Sequence, residues 1–246
     1  MRYDIENKVA LVTGANRGIG KAVVKSFLKH GASKVYAGVR SLEKAEPLVS
    51  EFGDKVIPIA IDYSDPATIS AAAETAGDTQ VVVSNAGILE TVSPLDDEVF
   101  ETFEKELEVN VYGLLRMARA FAPVLHKNGG GAFVQLNSVA SLNSFPAFAT
   151  YCASKAAAYS FTISLKTLFT QQGTHVLSVH PGPIDTDMAA KGGFKDESDP
   201  VEVVSEGIVA SLKAGEFHLF PDRMAKDFEK AYASFAKGIV EAPLGE

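Results

Sequence analysis

The chain has no tryptophan and a single cysteine, Cys152, in 246 residues. One cysteine excludes an internal disulfide framework and is compatible with a reducing cytosol. No apolar run reaches membrane-spanning length. The charged start from Met1 to Lys8 leads straight into a strand-like segment, leaving no room for a signal peptide. Basic charge is in deficit, with 23 Lys and Arg against 31 Asp and Glu for a net charge of -8, which argues against a nucleic-acid surface. The expected location is the cytoplasm, with neither a nucleic-acid nor a membrane partner. Metal-ligand spacing is also missing: His30, His126, His175, His180 and His218 show no pairing, so no catalytic metal is expected. With 46% hydrophobic residues, no internal repeat and no low-complexity linker, the length fits one α/β domain over residues 1–246.

What is present is alternation. Short β-branched runs at Val9–Thr13, Lys34–Val39, Val56–Ile61, Gln80–Ser84, Ala132–Asn137, His175–His180 and Phe217–Phe220 read as strands. Helical segments separate many of them, at Gly20–His30, Asp96–Leu125 (with Asp96 as its N-cap), Thr150–Gln172 and Val201–Ala214. Continuous apolar strands between helices predict a doubly wound, mostly parallel sheet of about seven strands, covered on both faces. Gly87–Leu95 and Pro181–Pro200 read as loops after strand ends, where open α/β sheets bind ligands.

The first strand runs into Thr13-Gly14-Ala15-Asn16-Arg17-Gly18-Ile19-Gly20, followed at once by a helix. Glycines there permit a tight turn and close backbone approach, leaving the helix N-terminus free to bind a pyrophosphate. The spacing departs from the common G-x-G-x-x-G fingerprint. This TGANRGIG segment resembles the signature of the short-chain dehydrogenase/reductase family. The resemblance extends over nearly the whole chain and implies a Rossmann-type fold and a nicotinamide cofactor. It also implies roles for Asn85-Ala86-Gly87 in supporting the cofactor site and for Asp62, with Tyr63 beside it, near the adenine. Taken alone, Asn85-Ala86-Gly87 and Asp62 can also be read as turn residues, Asp62 about equally well either way.

Charge selects the cofactor. NAD sites usually carry an acid at the end of the second strand, yet no Asp or Glu occurs from Lys21 to Leu42, and that strand ends in Val39-Arg40-Ser41. Arg40, with Arg17 in the glycine turn, suits a 2′-phosphate, so NADP(H) is expected over NAD.

Tyr151 and Lys155 are four residues apart and share one helix face, so the ammonium, with the oxidised nicotinamide, is expected to favour the phenolate and let Tyr151 exchange a proton near neutral pH. Ser138 ends a strand shortly before them, placed to hold a substrate oxygen. Ser141 and Ser144 are the neighbouring alternatives. The family resemblance makes Ser138 the catalytic serine. It assigns Asn110, an amide within an apolar helix, to a water-linked proton relay with Lys155, and gives Lys155 a ribose contact. It also seats the nicotinamide carboxamide on Pro181, Gly182, Ile184 and Thr186. Leu89, Leu142, Phe145, Phe148 and Met188 suggest a mostly apolar pocket, though such residues serve equally as core.

The expected activity is therefore hydride transfer between NADP(H) and a carbonyl or alcohol, with Ser138, Tyr151, Lys155 and Asn110 as the catalytic set. An NADPH-binding sensor or scaffold of the same fold is the alternative. An extended-family epimerase or dehydratase is disfavoured by how little sequence follows the last strand. A homodimer or homotetramer is expected, to which the central helix and the tail from Phe235 to Leu244 are suited.

Overall fold

The computed structural model describes residues 1–242. Seven parallel strands form one sheet in the order β3-β2-β1-β4-β5-β6-β7. They are β1 Val9–Thr13, β2 Lys34–Val39, β3 Val56–Ala60, β4 Val81–Ser84, β5 Gly131–Leu136, β6 Thr174–Val179 and β7 His218–Leu219. Between them run α1 Gly18–Lys29, α2 Glu46–Phe52, α3 Pro66–Thr75, α4 Val99–Glu106, α5 Gly113–Lys127, α6 Ala149–Gln171, α7 Asp187–Lys191 and α8 Val201–Ala214, with α9 Arg223–Phe235 after β7. Strand order reverses between β1 and β4, the switch point at which such sheets open a crevice.

Side chains alternate across the sheet, and each set meets its own helical layer. Val12, Val83 and Val134 pack with Val23 and Phe27 of α1 and Ile208 of α8. Leu11, Val82 and Phe133 pack with Ile69 of α3, Met117 and Phe121 of α5 and Phe169 of α6. Both faces are covered, which explains why the strands read as unbroken apolar runs.

The structure corrects the expected single helix Asp96–Leu125. Asp96 is not an N-cap, because its carboxylate accepts the Ser93 N–H at 2.7 Å and the helix starts only at Val99. A π-helical stretch, Leu107–Tyr112, then separates α4 from α5. The segment Pro181–Pro200 is not all loop, since Thr186 caps the short α7 through the Ala189 N–H at 3.3 Å. Helices α2, α3 and α9 add to those expected. For α3 the local signal is Asp65-Pro66: the carboxylate caps Ala67 N–H at 3.0 Å and proline opens the helix. The tail named as an oligomer contact lies within the described residues only to Ala242; Pro243 and Leu244 fall outside them.

Behind the switch point, Tyr63 is 4% exposed, and its hydroxyl bonds Thr13 Oγ1 at 2.8 Å and Ser84 Oγ at 2.9 Å. Burial pushes its pKa up to about 12. The side chain expected beside a cofactor is thus turned into the core, tying β1 to β4. Tyr63→Phe removes that tie and is expected to lower the unfolding free energy by about 1–2 kcal/mol, read as a lower urea midpoint with unchanged slope.

Candidate active site

The glycine turn folds as its composition demands. Gly14 and Gly18 hold φ of 63° and 50°, and an added Cβ would meet Asn85 Nδ2 at 3.0 Å and Thr186 Cγ2 at 2.9 Å, respectively. At Gly20 a Cβ would stand 2.2 Å from Gly14 O, so the start of α1 lies flat on the turn. That start has no capping side chain and no acid in its first turn. A twelve-residue helix beginning with open N–H groups at the crevice fits an anion such as a pyrophosphate.

Around it stand Asn16, Arg17 and Ile19 of the same turn. Arg17 pairs at 3.0 Å with Asp187, both largely exposed, bridging the turn to α7. Arg40 is exposed and makes no hydrogen bond or ion pair to another described residue. The hydroxyl of Ser41 engages Glu43, an acid lying just beyond the acid-free stretch. Asp62 is occupied locally, its Oδ1 accepting the Ser64 N–H at 2.9 Å.

On the far side of the switch point, Thr13 Oγ1 accepts the N–H groups of Asn85 and Ala86, while Asn85 Nδ2 donates to Thr13 O at 2.8 Å. Gly87 follows, where an added Cβ would stand 3.1 Å from Asn110 Oδ1, a tight contact.

Ser138, Tyr151 and Lys155 come together although they leave different elements. Ser138 follows β5, accepts the Ala140 N–H at 3.1 Å and donates to Pro181 O at 3.2 Å. Tyr151 and Lys155 lie in the first turns of α6, with Lys155 Nζ 5.7 Å from the Tyr151 ring centre and donating to Leu136 O at 2.8 Å. Burial dominates both. The Tyr151 phenol is pushed above its ordinary pKa, opposed by the Ser138 hydroxyl, and Lys155 is pulled down to about 8, opposed by Glu106. The expectation that Lys155, with an oxidised nicotinamide, favours the phenolate concerns the cofactor-bound site; within the chain itself burial raises the Tyr151 phenol.

Asn110 occupies the π-helical stretch and does not touch Lys155. Its Oδ1 accepts the Ile88 N–H at 3.0 Å, and its Nδ2 donates to Ile88 O at 3.0 Å and Ser154 Oγ at 2.9 Å. Its side chain pins the loop after β4 to α6, with both Nδ2 hydrogens used and one lone pair of Oδ1 left over.

The segment after β6 is similarly braced. Gly182 N–H donates to the buried Asp222 at 2.7 Å, Ile184 is 3% exposed in the core, and Thr186 both caps α7 and backs Gly18. Of the apolar candidates, Leu89, Phe145 and Phe148 gather at Tyr151 together with Phe194, whose ring lies 5.4 Å from that of Phe148. Leu142 packs instead with Val139, Phe220 and Met224, and Met188 is exposed.

Sequence reasoning missed Glu106, Asp222 and the placement of His180. Glu106 is hidden in a run of four glutamates between Glu101 and Glu108, where nothing local marks the buried one. His180 sits behind Ser138, its Nδ1 3.2 Å from Ser138 O and its Nε2 2.7 Å from Ser178 Oγ. Among the described residues no group of His, Cys, Asp or Glu is arranged to hold a metal, and no helix is long and apolar enough to cross a membrane.

The short chain dehydrogenase family model matches residues 8–196. The short chain dehydrogenase pigC of Monascus ruber is 32% identical over 223 residues, covering 85% of this chain and 74% of that protein. A short chain dehydrogenase from Burkholderia cenocepacia, solved in complex with NADP, is 33% identical with a TM-score of 0.87, covering 98% of this chain and all of that one (100%). A Burkholderia phymatum structure in complex with NAD shares the fold, with a TM-score of 0.83 at 20% identity over 99% of this chain and 100% of that one.

Burial holds His180 neutral, with a pKa of about 3 in the fold against an ordinary value of 6.5. The unfolded chain therefore binds the extra proton below pH 6.5, and this histidine's contribution is lost as pH falls from there toward 3. The unfolding free energy from urea melts is expected to drop across that window, by up to about 1.4 kcal/mol per pH unit from this group, and to drop less steeply in His180→Gln.

Proposed function

The chain belongs to the short chain dehydrogenase family, and from that premise we propose that it is an NADP(H)-dependent oxidoreductase interconverting a ketone or aldehyde with an alcohol. The observation that carries this reading is the meeting of Ser138, Tyr151 and Lys155 at the same edge of the parallel sheet as the uncapped start of α1. Bound NADP(H) supplies or accepts the hydride.

The residues of the chain do the rest. The N–H groups at the start of α1, with Gly14, Asn16, Gly18, Ile19 and Gly20 shaping the approach, hold the pyrophosphate. Arg40 and Ser41 receive the 2′-phosphate, and Arg17 leaves its exposed partner Asp187 to join them. Asp62 and the backbone of Tyr63 border the adenine. Asn85, Ala86 and Gly87 wall the crevice, Lys155 holds the ribose, and Pro181, Gly182, the backbone of Ile184 and Thr186 seat the carboxamide.

Tyr151, kept neutral by burial, gives its proton to the substrate oxygen while Ser138 turns from Pro181 O to donate to the same oxygen. Lys155 then steadies the phenolate. In the reverse direction the phenolate takes the alcohol proton. Leu89, Phe145 and Phe148 favour an apolar group on the substrate. We read the exposed Tyr112, Phe161 and Leu168 as part of a homodimer or homotetramer face.

The preference for NADP(H) rests on Arg40, on the acid-free stretch before it, and on the Burkholderia cenocepacia relative that carries NADP. Arg40→Ala is expected to weaken NADPH binding at least about tenfold and to leave NADH nearly unchanged, measured by fluorescence titration. Equal losses for both cofactors would remove Arg40 from the 2′-phosphate site. Turnover on a panel of ketones, aldehydes and diketones is expected to fall by about 100-fold or more in Tyr151→Phe, with NADPH affinity retained. Unchanged turnover in that variant would end the role given to Tyr151, and tight NADPH binding with no turnover by the parent on any substrate would favour a sensor.

A further inference from the structure

His180 follows β6 directly and is fully buried. Its ring is held in place by Phe220, stacked on it at 5.0 Å between ring centres, and by Tyr159, which meets it edge-on at 4.6 Å. Its backbone is held too, the N–H donating to Leu219 O at 2.8 Å.

The partners of the two ring nitrogens fix where the proton sits. Nδ1 lies 3.2 Å from Ser138 O, and a carbonyl can only accept, so Nδ1 carries a hydrogen. Burial keeps the ring neutral, which leaves Nε2 bare as an acceptor. Nε2 faces Ser178 Oγ at 2.7 Å, and that hydroxyl is free to donate because its oxygen accepts from Asn137 Nδ2 at 2.8 Å. The Asn137 amide is oriented by its other hydrogen, which goes to Thr162 Oγ1 at 3.2 Å, a hydroxyl that itself donates to Ala158 O at 2.8 Å. Hydrogen bonds therefore run one way, from Asn137 to Ser178 to His180 to the Ser138 carbonyl. The Ser141 hydroxyl donates to the same carbonyl and lies 3.0 Å from His180 Nδ1.

This chain ends on the backbone of Ser138, not on its hydroxyl, which accepts the Ala140 N–H and donates to Pro181 O. Pro181 is the next residue after His180. One residue thus sets both the carbonyl from which the Ser138 side chain departs and the carbonyl on which its hydroxyl rests.

We propose that His180 is a positioning residue for Ser138: locked by Ser178 and Asn137 as the neutral Nδ1–H tautomer, it holds the Ser138 carbonyl and so fixes the direction of the Ser138 hydroxyl. That Ser138 acts on a substrate rests on the function proposed above; the tautomer and the carbonyl contact do not.

The first test is NMR of the whole protein, without cofactor or substrate, carrying isotope-labelled histidine. The His180 ring is assigned by elimination, through single replacement of His30, His126, His175 and His218. At neutral pH its Nδ1 is expected to be protonated and its Nε2 bare. A ring protonated on Nε2, or on both nitrogens, overturns the proposal, and this arm needs no change at position 180. A second arm follows the Ser138 carbonyl carbon in protein labelled at serine carbonyl and valine nitrogen, with Ser138-Val139 told from Ser178-Val179 by its loss in Ser138→Ala. His180→Leu is expected to shift that signal. His180→Asn, whose amide nitrogen branches from the same atom as Nδ1, is expected to restore most of it. Both variants lose the ring and its packing, so their difference isolates the hydrogen bond; equal signals in the two overturn the proposal. With a substrate that the parent turns over, kcat is expected to fall about tenfold in His180→Leu, with KM and NADPH affinity held within about twofold, and to recover in His180→Asn. Unchanged kcat in His180→Leu overturns the positioning role. Absence of turnover by the parent sinks the proposed function and leaves the two NMR arms to decide this one.

Discussion

The hydroxyl of Thr13 is the contact on which the site depends. At the end of β1 it accepts two backbone N–H groups, from Asn85 and Ala86, and bonds the Tyr63 phenol, while the Thr13 carbonyl takes the Asn85 side chain. A parallel sheet that reverses its order between β1 and β4 leaves two strand ends diverging, and their loops have no ladder to hold them. Thr13 supplies that hold with one side chain. It sets where the chain leaves β4, hence where Gly87 and Ile88 pass, and hence what Asn110 can reach.

From that anchor a set of braces holds the surroundings of Ser138, Tyr151 and Lys155. Asn110 ties Ile88 to α6, Glu106 ties Glu90 to α4, Asp222 holds Gly182, and His180 backs the Ser138 carbonyl. Each brace is a buried polar group whose hydrogen bonds are mostly met, an arrangement that fixes geometry because a misplaced partner is costly. Burial also sets the resting protonation. It raises the Tyr151 phenol above its ordinary pKa and pulls Lys155 down to about 8.

The outer ties are of another kind. Arg17 with Asp187, and Lys191 with Glu90, link α7 to the glycine turn and to the loop after β4. The first pair is largely exposed, and such pairs contribute about 0–1 kcal/mol, so it holds the helix over the crevice loosely enough to be exchanged. Buried braces thus surround Ser138, Tyr151 and Lys155, while more exposed ion pairs tie α7 to the neighbouring loops.

Much of this was legible from residue order alone. The seven strands fall within a residue or so of their expected limits, because apolar runs bounded by polar turns state their own length. The glycine turn and the Tyr151–Lys155 pair were equally plain, since each depends on spacing within a few residues. Only tertiary packing decided the rest. The π-helical stretch around Asn110 has no local signal, because the amide answers to Ile88 and Ser154, which are distant in sequence. Tyr63 reads as a loop residue until β1 and β4 come together around its hydroxyl. Glu106 is one of four glutamates in a row of charges until the fold buries it against the loop after β4. Short-range order fixes which elements form; which polar group is buried, and against what, depends on segments that meet only after folding, and that desolvation is what sets the charges of the site.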